Sequence, residues 1–280
     1  MFFEIEYKIK YNYSKPVFLE SNEIRIFPRN DLTQKLLDYS INIAPSPASK
    51  TFLLDFENNT VLKTWFNGLN QNFEITFNCK VQTLRDNPYD FIVDTENTEL
   101  PVNYSADIKK HLNNYLDIKK ESRLIKDFSD EIKKEAGNNT LKFLTLLSER
   151  IHSDFTYQLR KKGYPLAAEE TFARKTGSCR DFAVLYMEAC RYQGLAARFV
   201  SGYQFDEDCR NCAHLHAWTE VYIPGGGWRG YDPVNGIAVA NRHIPVVSSC
   251  NPSETLPIIG SYRGNDAECD MDYNIRIRTL

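Results

Sequence analysis

The sequence predicts an α+β protein, with an N-terminal β-sandwich followed by a core in which one helix packs on an antiparallel sheet. Three observations predict it. Residues 1 to about 100 consist of short runs that alternate apolar and polar positions, residues 107–151 switch to a helical period, and the remainder combines one amphipathic helix with further alternating runs.

The first alternating run is FFEIEYKIKYNY, and comparable runs occupy Asn22 to Phe27, Thr51 to Phe56, Thr60 to Phe66, Phe73 to Leu84 and Asp90 to Val93. Pro, Asn, Gly and Asp punctuate them, which is the spacing of a sandwich. The domain is taken as residues 1–105. A helical connection follows at 106–140, rich in Lys and Glu, with Leu112, Tyr115 and Leu116 in a stripe. Leu141, Leu144 and Ile151 extend the stripe beyond the interruption AGNNT at 136–140. The core is taken as 141–280. Its helix, FAVLYMEACRYQG, sets Phe182, Leu185, Tyr186 and Ala189 on one face and ends at Gly194, a natural position for the left-handed residue after a helix. Strands are predicted at Ala196 to Gln204, Leu215 to Ile223, Trp228 to Asp232 and Tyr273 to Ile277.

Composition removes several functions. The chain is 42% hydrophobic and 13% aromatic, too apolar for a disordered tail. Its 34 Lys and Arg balance 37 Asp and Glu, so no domain-wide basic field exists for nucleic acid. No apolar stretch approaches the ~18 residues of a membrane span, and MFFEIEYKIK is too acidic and too alternating for a signal peptide. The expected location is the cytoplasm, with neither membrane nor nucleic acid as partner.

Seven cysteines, an odd number, in a chain expected to stay reduced suggest that one serves chemistry. Cys179 is the candidate. In TGSCRDFAV, Ser178 and Asp181 form a capping-box pattern that puts Cys179 in the first helical turn. Unpaired N–H groups and the helix dipole there favour a thiolate, the nucleophilic form of cysteine. Gly177 before it is small enough to let a substrate backbone approach. A thiolate needs a base, itself oriented by a third group. His216 opens the alternating run HAWTEVYI, and Asp232 follows the turn PGGG. A tight turn centred on Gly225 and Gly226 would oppose 216 with 235 and leave Asp232 three residues out of register, so contact requires a bulge or a slid register.

As a set, G177-S-C179-R-D-F, G-Y at 202 and 203, H216-A-W-x-E, P-G-x-G-W228 and D232-P resemble the core of the transglutaminase-like superfamily of papain-like cysteine enzymes. The N-terminal β region, with its Y-x-Y-type strand, Arg29 and P45-S-P47, is similar to the region preceding this core in many bacterial members. The resemblance implies a triad of Cys179 as nucleophile, His216 as base and Asp232 as the orienting carboxylate. It also implies attack on an amide carbonyl to give a thioester, passed to water or to an amine. Trp218, Trp228, Gln158 and Tyr203 are assigned to the groove or directly behind the triad, with Gln158 and Tyr157 as candidates for a second oxyanion donor. The backbone N–H of Cys179 would be the first.

Cys209, Cys212, His214 and His216 could also be read as a compact zinc site. Zinc usually takes histidines at wider spacing, and committing His216 would deprive Cys179 of its base, so no metal and no cofactor is expected. Asp181 and Arg180 are expected to cap and pack, and Glu220 to form an exposed cross-strand pair. His111, His152 and His243 carry no motif. The expected partner is a peptide or protein substrate, with an amine as possible acyl acceptor. The reading is a cysteine peptidase or amidase, against a glutamine-to-amine crosslinking transferase or an inactive peptide-binding scaffold.

Overall fold

The computed structural model describes residues 1–160, 163–206, 215–264 and 266–280. Six strands come first: β1 (Phe2–Leu19), β2 (Asn22–Ile24), β3 (Gln34–Ala44), β4 (Ser49–Leu54), β5 (Thr60–Trp65) and β6 (Leu69–Thr83). Helices α1 (Ala106–Leu116), α2 (Arg123–Glu135) and α3 (Thr140–Asp154) follow, then β7 (Thr156–Tyr157), α4 (Ala168–Arg174), β8 (Thr176–Gly177) and α5 (Cys179–Tyr192). The core sheet has β9 (Ala197–Gln204), β10 (His216–Ile223), β11 (Gly227–Asp232), β12 (Ile237–Ala238) and β13 (His243–Ser249). Strands β14 (Ile258–Ile259), β15 (Tyr262–Arg263) and β16 (Cys269–Thr279) complete the chain.

The alternation in β1 becomes its two faces: Phe3, Ile5, Tyr7 and Ile9 are buried and the residues between them are not. Its neighbours are β6 and β16, in a sheet ordered β15-β1-β6-β3 with β16 added on β1. A second sheet, β14-β2-β5-β4, faces it, and Ile24, Phe27, Leu62 and Phe77 share one apolar cluster between them. That cluster also includes Tyr203, Ile244, Val246 and Val247, so the sandwich and the core sheet are packed directly together. On its other side the core sheet, ordered β12-β11-β10-β9-β13, is covered by α5 and α3, and α2 packs on those helices, with Ile125, Phe128, Leu144 and Leu185 in one apolar cluster. The AGNNT break is real: Gly137 and Asn138 are left-handed, at φ 63° each, and Asn139 caps α3 through Lys142 N–H.

Two sequence expectations need correction, and two strands, β3 and β13, were not predicted. Strand β3 has no clear alternation, because it is an edge strand interrupted by a bulge between Leu36 and Asp38, and most of its residues are exposed. Asp90 to Val93 is not a strand; Asp94 N–H just beyond it donates to the Pro224 carbonyl at the core sheet's rim, at 3.3 Å, while Phe91 and Val93 pack on the helical cluster. Strand β13 lies in the core sheet beside β9 and went unpredicted. Finally, residues 141–280 are not all core. Strand β16 pairs antiparallel with β1 from Phe3↔Thr279 to Tyr13↔Cys269, β15 also pairs with β1, and β14 pairs with β2. Among the described residues no helix is long and apolar enough to cross a membrane.

Candidate active site

Cys179 is the first residue of α5, preceded by Ser178 in extended geometry. The buried Asp181 carboxylate accepts from the Ser178 backbone N–H and hydroxyl, both at 2.7 Å, as the capping pattern predicts. It does more than cap. Arg160 donates to it at 2.6 Å and the Leu166 N–H at 2.7 Å, so Arg160 and Leu166 are both tied to the helix start. Burial alone would raise the Asp181 carboxyl, but these donors outweigh it and hold it below the usual range. Gly177 has a different purpose from the one expected. A Cβ there would lie 2.9 Å from Asp181 Cβ and 3.0 Å from the Phe182 ring, so glycine allows the first turn of α5 to close.

His216 opens β10, which is tied to the helix by the Thr219 hydroxyl donating to the Ala183 carbonyl at 2.8 Å. The turn after β10 pairs Ile223 with Gly227 and Thr219 with Tyr231, with Gly225 and Gly227 at φ 80° and 69°. This register is slid by one from the turn assumed in the sequence, and continuing it sets Asp232 opposite Trp218. Asp232 and His216 thereby become diagonal neighbours on one sheet face, which side chains can bridge.

They do bridge: His216 Nε2 and Asp232 Oδ2 are 2.8 Å apart. The same oxygen receives His243 Nε2 at 2.9 Å, Asn235 Nδ2 at 2.6 Å and Gln204 Nε2 at 3.5 Å, while Val234 N–H donates to Oδ1 at 3.0 Å. Burial opposes the charge on Asp232, yet His216 and His243 hold its carboxyl far below the ordinary range. An ionised carboxylate only accepts, so both imidazoles present Nε2–H to it. On His216 this leaves Nδ1 to face Cys179, whose side chain hydrogen-bonds to the ring. Burial disfavours the imidazolium, but the charge and hydrogen bond of Asp232, with the bond to Cys179, raise His216 to about 10.

The structure therefore brings Cys179, His216 and Asp232 together and adds His243, which carries no motif and reaches Asp232 only because β13 lies beside β9. Trp218 is fully buried against both imidazoles, its ring centroid 6.1 Å from His216 and 5.2 Å from His243. It supports the histidines and does not line the groove. Gly202 makes room for it: a Cβ there would fall 2.6 Å from Trp218 Cη2 and 2.4 Å from the Ile244 carbonyl oxygen. Trp228 is a correction, since it packs on Tyr115, Tyr222 and the Arg198 guanidinium, away from the cleft. Tyr203 is another, its hydroxyl donating to the Ile26 carbonyl inside the apolar cluster. Gln158 is exposed, and its N–H donates to the Gly177 carbonyl at 2.8 Å in the β7–β8 pair. Tyr157 is the nearer candidate: burial, then the proximity of Cys179, push its hydroxyl up to about 12.

Glu220 is buried, not exposed. Arg29 from the N-terminal region reaches it at 3.0 Å and Arg198 at 2.7 Å. Burial would raise Glu220, but Arg29 and Arg198 overcome this and hold it at about 2. Of the residues in the disfavoured zinc reading, Cys209, Cys212 and His214 lie outside the described residues. His216, Asp232 and His243 have donor atoms within 4.8 Å of one another and form a candidate cation site among the described residues. A cation there would take the ring nitrogens that now face Asp232.

A cleft of about 430 Å³ opens beside Cys179 and His216. Leu159, Arg160, Gly163, Tyr164 and Pro165 line it, together with Tyr7, Ile9 and Tyr11 of β1 and Met271 and Tyr273 of β16.

Residues 126–233 match the transglutaminase-like superfamily, and residues 3–82 match the bacterial transglutaminase-like N-terminal region. An uncharacterized protein of Mycobacterium tuberculosis (strain ATCC 25618 / H37Rv) is 23% identical over 311 aligned positions, covering 98% of this chain and 92% of its own. An uncharacterized protein of Mycobacterium leprae (strain TN) is 32% identical over 113 positions, 37% of this chain and 38% of its own. The crystal structure of a candidate cysteine protease from Cytophaga hutchinsonii shares the fold, with TM-score 0.75 and 20% identity over 100% of this chain and 91% of that one.

Proposed function

We propose that this chain, which belongs to the transglutaminase-like superfamily, is a cysteine peptidase or amidase that works through a thioester on Cys179. The observation that carries the reading is the placement of His216 between the Asp232 carboxylate and the Cys179 thiol.

In this mechanism the imidazole takes and holds the thiol proton as an imidazolium, and the resulting thiolate attacks the amide carbonyl. The backbone N–H of Cys179, at the positive end of α5, receives the developing oxyanion. The imidazolium, stabilised by Asp232, gives its proton to the departing amine as the C–N bond breaks and the acyl thioester remains. Water, deprotonated by the same imidazole, then attacks the thioester, releasing the acid and restoring the thiol. An amine in place of that water would give a new amide, which is the crosslinking alternative.

One assay separates the two. The protein is incubated with a glutamine-containing casein and a fluorescent amine. New N-termini without fluorescence support hydrolysis; fluorescent casein identifies a transferase. The absence of both, with Cys179 intact and folded, would leave only a peptide-binding scaffold.

A further inference from the structure

Resting on the reading of Cys179 as nucleophile, we propose that the cleft beside it is a subsite for a large apolar or aromatic side chain on the acyl donor. The cleft is lined by Cys179 and His216 together with residues of the sandwich and of the core sheet. Its floor is Phe199 and Ser201 on β9; Ser201 pairs with Ala217, the residue after His216. Its roof is Tyr7 and Ile9 on β1, and Met271 and Ile258 line it too. Floor and roof are interior residues, with Tyr7 1%, Ile9 3%, Phe199 4% and Ser201 9% exposed, yet the space between them is unfilled.

Protein interiors pack to crystal-like density and leave few voids larger than a water. A space of about 430 Å³ at the join of two regions, mostly apolar and with Cys179 in its lining, has the dimensions of a ligand pocket. Its charge selects further. Among the described lining residues no Asp or Glu serves as counter-ion for a lysine or arginine side chain. The guanidinium of Arg160 is engaged by Asp181 and the Tyr164 carbonyl, and Arg180 donates to the Arg160 carbonyl. Leucine, methionine, phenylalanine and tyrosine fit the lining.

The test compares two irreversible reagents, acetyl-phenylalanyl and acetyl-glycyl chloromethyl ketone. Each is attacked by the thiolate to form a thioether with loss of chloride. The rate of Cys179 modification is read by peptide mass spectrometry. The expected preference for the phenylalanyl reagent is roughly ten- to a hundredfold, the range for burying one such side chain. Met271→Trp and, independently, Ile258→Trp fill the cleft and should bring the ratio close to one. The glycyl rate reports the thiol in each variant, so the ratio isolates the cavity from any effect on folding. Equal rates in the unmodified protein, or a preference that survives both substitutions, would overturn the subsite while leaving the nucleophile in place. If neither reagent modifies Cys179, the thioester reading itself fails and the subsite with it.

Discussion

The N-terminal sandwich and the helix-backed core bury different things. The sandwich buries rings and branched aliphatics along long regular strands, as in Phe3, Ile5, Phe73, Ile75 and Phe77. The core buries charge: Asp181, Glu220 and Asp232 are each enclosed and surrounded by donors. Apolar burial is non-directional and stabilises in proportion to area, whereas a buried carboxylate is tolerated only with its donors in place. The sandwich should therefore set stability, and the core should set geometry and reactivity.

Substitutions can break that division, and the largest effects are expected at the thiol. Cys179→Ala should abolish turnover, a loss of 10³-fold or more, while the melting temperature stays within a few degrees. Asp232→Asn should lower kcat by on the order of 10³- to 10⁴-fold, the scale for removing a carboxylate that fixes an imidazole. It also shifts the pH profile. Asp232 raises the His216 imidazolium to about 10, so the alkaline limb of kcat/KM should fall toward the ordinary histidine range near 6.5 when that charge is removed. An unmoved limb would separate Asp232 from His216.

The reverse pattern is expected from the sandwich. Phe77→Ala should cost about 3–5 kcal/mol of unfolding free energy by denaturant titration, yet leave the Cys179 alkylation rate of the folded fraction unchanged. Glu220→Gln tests the polar bridge between the regions and should cost about 3 kcal/mol, taking its carboxyl as held at about 2 against an ordinary 4.5. A depressed carboxyl gives stability that is fully present above its unfolded value and lost as pH falls through the folded one. The variant's deficit should therefore shrink between about pH 4.5 and pH 2. The smallest effect is expected at His243→Ala, about tenfold in kcat with KM unchanged, because Asp232 would retain His216, Asn235 and the Val234 N–H. A change in KM with constant kcat would make His243 a binding residue instead.

What the sequence conveyed follows the same division. The alternation of β1 and the stripe of α5 were legible because burial along one element writes its own period. Ser178 and Asp181 were legible because a helix start is a local problem. The His216–Asp232 contact was not, since it depends on a one-residue slide at a turn with two left-handed glycines. His243 was hidden for a stronger reason: its partner is reached across strand pairing, Gln204↔His243, with nothing local to mark it. Tyr203 and Trp228 were misassigned because membership of a motif does not say which way a side chain points.

The pairing of β1 with β16 bears on how the molecule is made. One edge of β1 is filled by β6, close in sequence, but its other partner is delivered only after the whole core has been synthesised. Met271 and Tyr273 arrive on that late strand, so α5 and its cysteine can be in place while the cleft still lacks a wall. The final strand thus acts as a closing seam, and a chain cut short before it would carry its thiol in an open trough.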